Sequence, residues 1–250
     1  MKHRRFPALR YRDFKLLWLG LLISNTGSQM QFAAINWHIF ILTHSPLALG
    51  MIGLSRFLPI AIFALLGGAI ADAHNRKKIL FITQITLTIL SAILAFTTLT
   101  NSVTPFIIYT ITALSSVALA FDAPPRQAMI PSLVSREHLP NAMSLNVTMF
   151  QGAMVLGPAL SGLVISQFGI GSVYLLNAIS FFSVITALFL MKTSGEIAGT
   201  PSKVSLHAVW EGLAFVRSKT IIWSTMMLDF FSTFFASATA LLPIFAEQIL

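Results

Sequence analysis

Residues 67–78 read "GGAIADAHNRKK" and pack six polar or charged groups between two long apolar runs, roughly 47–71 and 79–99. Two explanations present themselves: an aqueous loop joining two membrane-spanning helices, or a device that latches those helices together. Gly67 and Gly68, near the end of the first run, leave no side chain, so another helix can approach the backbone closely. Asp72 follows at a helix C-terminus, where the macrodipole disfavours a negative charge. It calls for a cation or the N-terminus of another helix. Arg76 and Lys77 are within reach across a tight turn, in which Asn75 is a residue type that tolerates the left-handed conformation. A plain solvated loop would need only the basic residues, so the glycine pair and the misplaced acid favour the latch.

Composition fixes the solvent. Of the 250 residues, 56% are hydrophobic and 10% charged, with a mean hydropathy of +0.81, whereas soluble domains average about 25% charged. Seven candidate spans are readable, roughly 16–42, 47–71, 79–99, 105–121, 142–167, 171–191 and 220–246. Each is long enough to cross a hydrocarbon core about 30 Å thick at ~1.5 Å per residue. The expected fold is all-α, a polytopic helical membrane protein.

The net charge of +8 is placed asymmetrically. With a cytoplasmic N-terminus, 15 of the 16 lysines and arginines fall on the inner side, among them Arg76, Lys77, Lys78, Arg126 and Arg136, and the short outer loops at 43–46, 100–104 and 168–170 hold none. That pattern follows the positive-inside rule and points to the bilayer rather than nucleic acid as the partner. The first apolar run is too long for a signal-peptide core. Cysteine is absent and the six histidines are scattered with no i, i+4 pair. Neither a metal site, a cofactor site nor a catalytic constellation is expected, and the chain is not read as an enzyme.

The inner segment 122–140, "DAPPRQAMIPSLVSREHLP", contains four prolines, which are expected to stop helices and hold turns. A second inner segment, 192–219, separates six spans from the seventh. Within it Leu206, Val209, Leu213 and Val216 recur at helical spacing beside Trp210. This reads as an amphipathic helix at the headgroup level, or else a docking surface for a partner.

Residues 67–78 resemble the loop 2-3 signature of the major facilitator superfamily, G-x-x-x-D-(R/K)-x-G-(R/K)-(R/K), matched at Gly68, Asp72, Arg76 and Lys77 and departing at Ala73 and Asn75. Residues 121–146, "FDAPPRQAMIPSLVSREHLPNAMSLN", with "EGLAFVRSKTII" at 211–222, look like the branch that contains the enterobactin exporter and related efflux carriers. The resemblance implies two six-helix halves, each built of inverted three-helix repeats. The chain then divides into a six-helix domain at 1–191, a cytoplasmic linker at 192–219 and the first helix of a second half at 220–250. It also implies a multi-pass protein of a bacterial-type inner membrane that exports an amphipathic small molecule, siderophore-like or drug-like, by alternating access with proton antiport. The alternative is a non-transporting remnant, or a subunit whose missing helices arrive on a second chain.

Span 5 carries "GAMVLGPALSG", with Gly152, Gly157, Pro158 and Gly162, similar to a glycine–proline element associated with exporters of the superfamily. Frequent Gly and Pro in membrane helices would also account for it. In span 1, Asn25, Gln29 and Asn36 fall within about 40° of one another at ~100° per residue, a polar stripe suited either to lining a cavity or to bonding between helices. Two charges lie inside spans, Arg56 and Asp229, each about 14 Å deep at ~1.5 Å per residue. Intramembrane charges are costly and usually functional, so both are candidates for cavity lining or proton coupling. Snorkelling or local hydrogen bonding is the alternative.

Overall fold

A computed structural model describes residues 6–195 and 215–236. Among these the regular structure is helical. After a 3-10 turn at Pro7–Arg10 the helices are α1 (Arg12–Thr43), α2 (Pro46–Ala73), α3 (Arg76–Leu99), α4 (Pro105–Leu133), α5 (Leu139–Phe168), α6 (Ile170–Leu190) and α7 (Thr220–Ala236). The expected headgroup helix around Leu206, Trp210 and Leu213, the residues beyond 236 and the side chain of Asp229 on α7 lie outside the described part.

By length and composition, α2 to α6 are each apolar enough to cross a membrane. Helix α1 is longer, 32 residues, but buries Ser24, Gln31, Asn36 and His38, so it is the polar spine of the bundle. Local chemistry sets the reversals. Pro46 and Pro105 open α2 and α4 at first-turn positions where no N–H is needed, and the Thr104 hydroxyl caps α4 by accepting from Ile107 N. Between α5 and α6 the single residue Gly169, with φ of 79°, turns the chain.

Two expectations need correcting. Helix α4 does not stop at 121 but runs through Pro124, Pro125 and Pro131 to Leu133, so Arg126 is a helical residue and not part of a loop. A proline in a helix releases the carbonyl four residues earlier, which for Pro124 is that of Ala120. Gly67 of α2 packs its backbone on the Ala120 carbonyl, where a Cβ would overlap the oxygen. The carbonyl that Pro124 releases is thus covered by a neighbouring helix, while Pro131 lies exposed two residues before the end of α4. Asn75, in turn, has φ of −58° and is not left-handed. Its side chain accepts from Lys78 N as the N-cap of α3.

The main helix contacts are α2 on α4, α1 on α6 and on α5, and α3 on α6 and on α4. Exchanging α1, α2, α3 for α4, α5, α6 leaves this pattern unchanged, since α2 on α4 becomes α5 on α1 and α1 on α6 becomes α4 on α3. Such self-correspondence is what two inverted three-helix repeats produce.

The interior is layered. One apolar cluster, including Phe14, Leu17, Leu80, Met129 and Leu188, fills the end where α2 meets α3. A second, including Ile39, Leu49, Leu94, Ile108 and Val173, fills the opposite end. Between them the buried side chains turn polar: Ser24, Gln31, Thr83, Gln84, Ser91, Thr112, Ser116, Asp122, Asn177 and Ser180. Large apolar residues such as Phe96, Phe106, Val155 and Phe189 remain exposed on the outside, as lipid contact requires.

Candidate functional site: a polar layer inside the helical bundle

Asp122 is fully buried, eleven residues before the end of α4. Its Oδ1 accepts from Thr83 Oγ1 and Gln84 Nε2 of α3, both at 2.8 Å, and its Oδ2 is ion-paired with Arg126 one helical turn on. Arg126 Nη1 reaches Asn25 Oδ1 of α1 at 3.4 Å. One charge pair thus ties three helices together. Asn25 Nδ2, Arg126 Nε and Gln84 Oε1 have no partner among the described residues. The pair is hidden in the sequence because the surrounding prolines place both residues in a loop, although Asp and Arg at i, i+4 are helical neighbours.

A second network lies one to two turns away along α1. Gln31 Oε1 accepts from Ser91 Oγ at 2.8 Å and Asn177 Nδ2 at 2.9 Å, and Ser180 Oγ donates to Asn177 Oδ1 at 3.0 Å. Gly27 makes room for it, since a Cβ there would collide with Ser180 and Asn177. Beside the network is a cavity of about 80 Å³ whose lining includes Gln29, Gln31, Phe32, Arg56, Thr112 and Ser115. Arg56 enters from α2, its guanidinium carbon 4.2 Å from the centre of the Phe32 ring, a cation–π contact.

The expected polar stripe on α1 therefore divides. Asn25 bonds between helices, Gln29 lines the cavity and Asn36 donates to Phe32 O of its own helix at 2.9 Å. Near the end of the bundle away from the loop 2-3 residues, buried His38 Nδ1 lies 3.1 Å from the Tyr174 hydroxyl.

At the loop 2-3 end, Asp72 is exposed in the last turn of α2. Arg76 Nη1 donates to Ala128 O of α4 at 3.0 Å, while Lys77 Nζ donates to Met191 O and Thr193 O after α6. Asn75 adds a bond to Ser194 O at 2.9 Å. The basic residues thus pin the start of α3 to its neighbours. The segment after α6 is also held from α1, where Asp13 Oδ2 accepts from Thr193 N and Oγ1 at 2.8 and 2.7 Å. Burial raises the pKa of Asp13, but the Thr193 hydrogen bonds and the nearby Arg12 charge outweigh it and hold the carboxyl below its ordinary value.

The glycines separate into two kinds. A Cβ at Gly157 would strike Gln29 of α1, so α5 and α1 meet there at backbone distance, one residue before Pro158 within α5. Gly68, Gly152 and Gly162 face open space, with nothing within 4 Å of an added Cβ.

Comparison with known proteins gives a consistent answer. The family model described as transmembrane secretion effector matches residues 4–250. The chain is 26% identical over 239 residues to the staphyloferrin A transporter of Staphylococcus aureus, covering 94% of this chain and 57% of that protein. It is 21% identical over 225 residues to macrolide efflux protein A of Streptococcus pyogenes, covering 88% and 56%. With the enterobactin exporter EntS of Escherichia coli it shares 22% identity over 235 residues, covering 94% and 56%. The chain spans a little over half the length of these curated relatives.

Proposed function

Because this chain belongs to the transmembrane secretion effector family of major facilitator transporters, we propose that it supplies the first six-helix half, and the first helix of the second, of an efflux carrier. The cargo is an amphipathic small molecule, siderophore-like or drug-like, moved by alternating access with proton antiport. The observation that carries this is the polar layer. A bundle whose only task was to sit in lipid would gain nothing from burying Asp122 and the neutral polar groups around it, with Arg126 paired beside them, between two apolar plugs. Buried ionisable groups inside membranes are expensive, and they mark transport pathways. The activities named for the relatives, staphyloferrin A transport, macrolide efflux and enterobactin export, agree in kind.

In this reading the N-terminus is cytoplasmic and residues 1–191, 192–219 and 220–250 are half, linker and next helix. Gly68 and Asp72 then meet the second half at the cytoplasmic face, with Arg76 and Lys77 holding the platform behind them. Gly152 and Gly162 on α5 are open for close approach by its helices. Asp229 on α7 is the proposed proton-coupling residue, and the substrate is reached from the cavity beside Arg56.

The test is flux in inverted membrane vesicles from cells making the complete carrier that contains residues 1–250. An imposed pH gradient is expected to drive saturable uptake of ethidium, erythromycin or a catecholate siderophore, and Asp229→Asn is expected to weaken the dependence on the gradient. Uptake of none of the three would overturn the efflux function. Unchanged gradient dependence in Asp229→Asn would remove that residue from the coupling role.

A further inference from the structure

Arg56 lies ten residues into α2, about 15 Å from its start at ~1.5 Å per residue, yet it has no carboxylate partner among the described side chains. The ion pairs there are Arg12–Asp13 and Arg126–Asp122. Its near neighbour is the face of Phe32, which can attract a cation but cannot neutralise one. The cavity it faces is lined by hydroxyls and amides, from Ser28, Gln29, Gln31, Ser91, Thr112 and Asn177 among others, by apolar side chains such as Leu87 and Phe181, and by no acid among the described residues. One of these groups is itself uncommitted. Thr112 is 6% exposed, lines the cavity and has a hydroxyl with no hydrogen-bond partner among the described residues.

A single fixed cation and an uncommitted hydroxyl beside a small space bordered by neutral polar side chains form a receptor for one negative group. The geometry points to a carboxylate-recognition subsite at Arg56, which takes the acid group of an amphiphile whose larger body lies outside the cavity. Two features select this ligand. The guanidinium presents a planar fork of donors that matches a carboxylate bidentately. The volume of about 80 Å³ corresponds to a few water-sized probes at about 10–15 Å³ each, enough for an acid group and too little for a whole drug-sized molecule. The Phe32 ring, 4.2 Å from the guanidinium carbon, restricts where the cation can sit. This deepens the efflux reading by naming a chemical class of cargo, and it rests on that reading only for its physiological meaning, because binding needs no transport.

The experiment uses the purified 250-residue chain in neutral detergent with two fluorescent probes, 11-(dansylamino)undecanoic acid and its methyl ester, followed by dansyl emission at pH 7. The acid is expected to bind at least tenfold more tightly than the ester. Arg56→Gln should bring the acid down to the affinity of the ester. Arg56→Lys, which keeps the charge but loses the fork, should retain a preference of a few-fold, and Thr112→Val should reduce the preference by a few-fold. Equal binding of acid and ester by the unaltered chain overturns the subsite, as does an acid preference that survives Arg56→Gln. If Arg56→Gln does not fold, an undiminished preference in both Arg56→Lys and Thr112→Val overturns it equally. Acid-selective binding in a protein that shows no flux would leave the subsite standing and the efflux function refuted, and flux without acid selectivity would do the reverse.

Discussion

Replacing Asp122 by alanine is expected to lower the unfolding free energy by about 3–5 kcal/mol, the range found when one partner of a buried ion pair is removed. The substitution deletes the acceptor for Thr83, Gln84 and Arg126 together. It also leaves the Arg126 guanidinium uncompensated in the middle of three packed helices. Asp122→Asn keeps an acceptor for part of the network and should cost less. The double change Asp122→Leu with Arg126→Met removes both charges, and pairs replaced by apolar residues of similar volume are often neutral or stabilising. It is therefore expected to recover most of the stability while abolishing transport. Denaturant unfolding in detergent, followed by circular dichroism, measures all three. A loss well under ~1 kcal/mol for Asp122→Ala would mean that the pair is solvated and not the tie described here.

The second large effect is expected at the two glycines where helices meet backbone to backbone. Gly67→Leu drives a side chain into the Ala120 carbonyl on α4, and Gly157→Leu drives one into Gln29 and the α1 backbone. Overpacking a fitted core costs typically about 1–3 kcal/mol, and here the obstruction is main chain, which cannot rotate aside, so the upper end or complete loss of folded protein is expected. The controls are neighbours on the same helices. Gly68→Leu and Gly152→Leu place the same side chain in open space and should leave folding of this chain within about 0.5 kcal/mol of the parent, as surface changes do. In the complete carrier the order changes, because Gly68→Leu and Gly152→Leu should impair transport if those faces meet the second half. Detergent-resistant folded yield separates the two classes. Equal tolerance at all four positions would contradict the packing.

Much of this was legible in the sequence because a membrane leaves few options. Apolar runs must become helices, since lipid offers no partner for backbone polar groups, and the ends of five of the six helices α1–α6 fall within four residues of the expected limits. Helix α4 differs because Pro124, Pro125 and Pro131 read locally as helix breakers, whereas the Ala120 carbonyl that Pro124 frees is covered by Gly67 of a helix distant in sequence. The same error hid the Asp122–Arg126 pair, although Thr83 and Gln84 inside an apolar run already signalled polar company. Asn25 and Arg56 were identifiable as unusual residues in apolar helices. Their partners were not, because which neighbour a polar side chain meets depends on helix packing and not on local spacing. Arg76 and Lys77 illustrate the same limit, being close to Asp72 in sequence yet bonded to carbonyls of α4 and of the segment after α6.

The account as a whole stands on alternating access to the polar layer, and the absence of cysteine permits a direct measurement. Single cysteines are introduced into the complete carrier at Ser102, Ser135 and Ser115, and their labelling rates with an impermeant thiol reagent are measured on intact cells and on inverted vesicles. Ser102 follows α3 and Ser135 follows α4, both exposed, whereas Ser115 lines the cavity beside Arg56. The cysteine at 102 is expected to label only on cells and that at 135 only on inverted vesicles. The one at 115 should label on both, with a transported substrate shifting its two rates in opposite directions. Labelling of position 115 from one side alone, or rates that move together when substrate is added, would contradict alternating access, and reversal of the patterns at 102 and 135 would overturn the orientation.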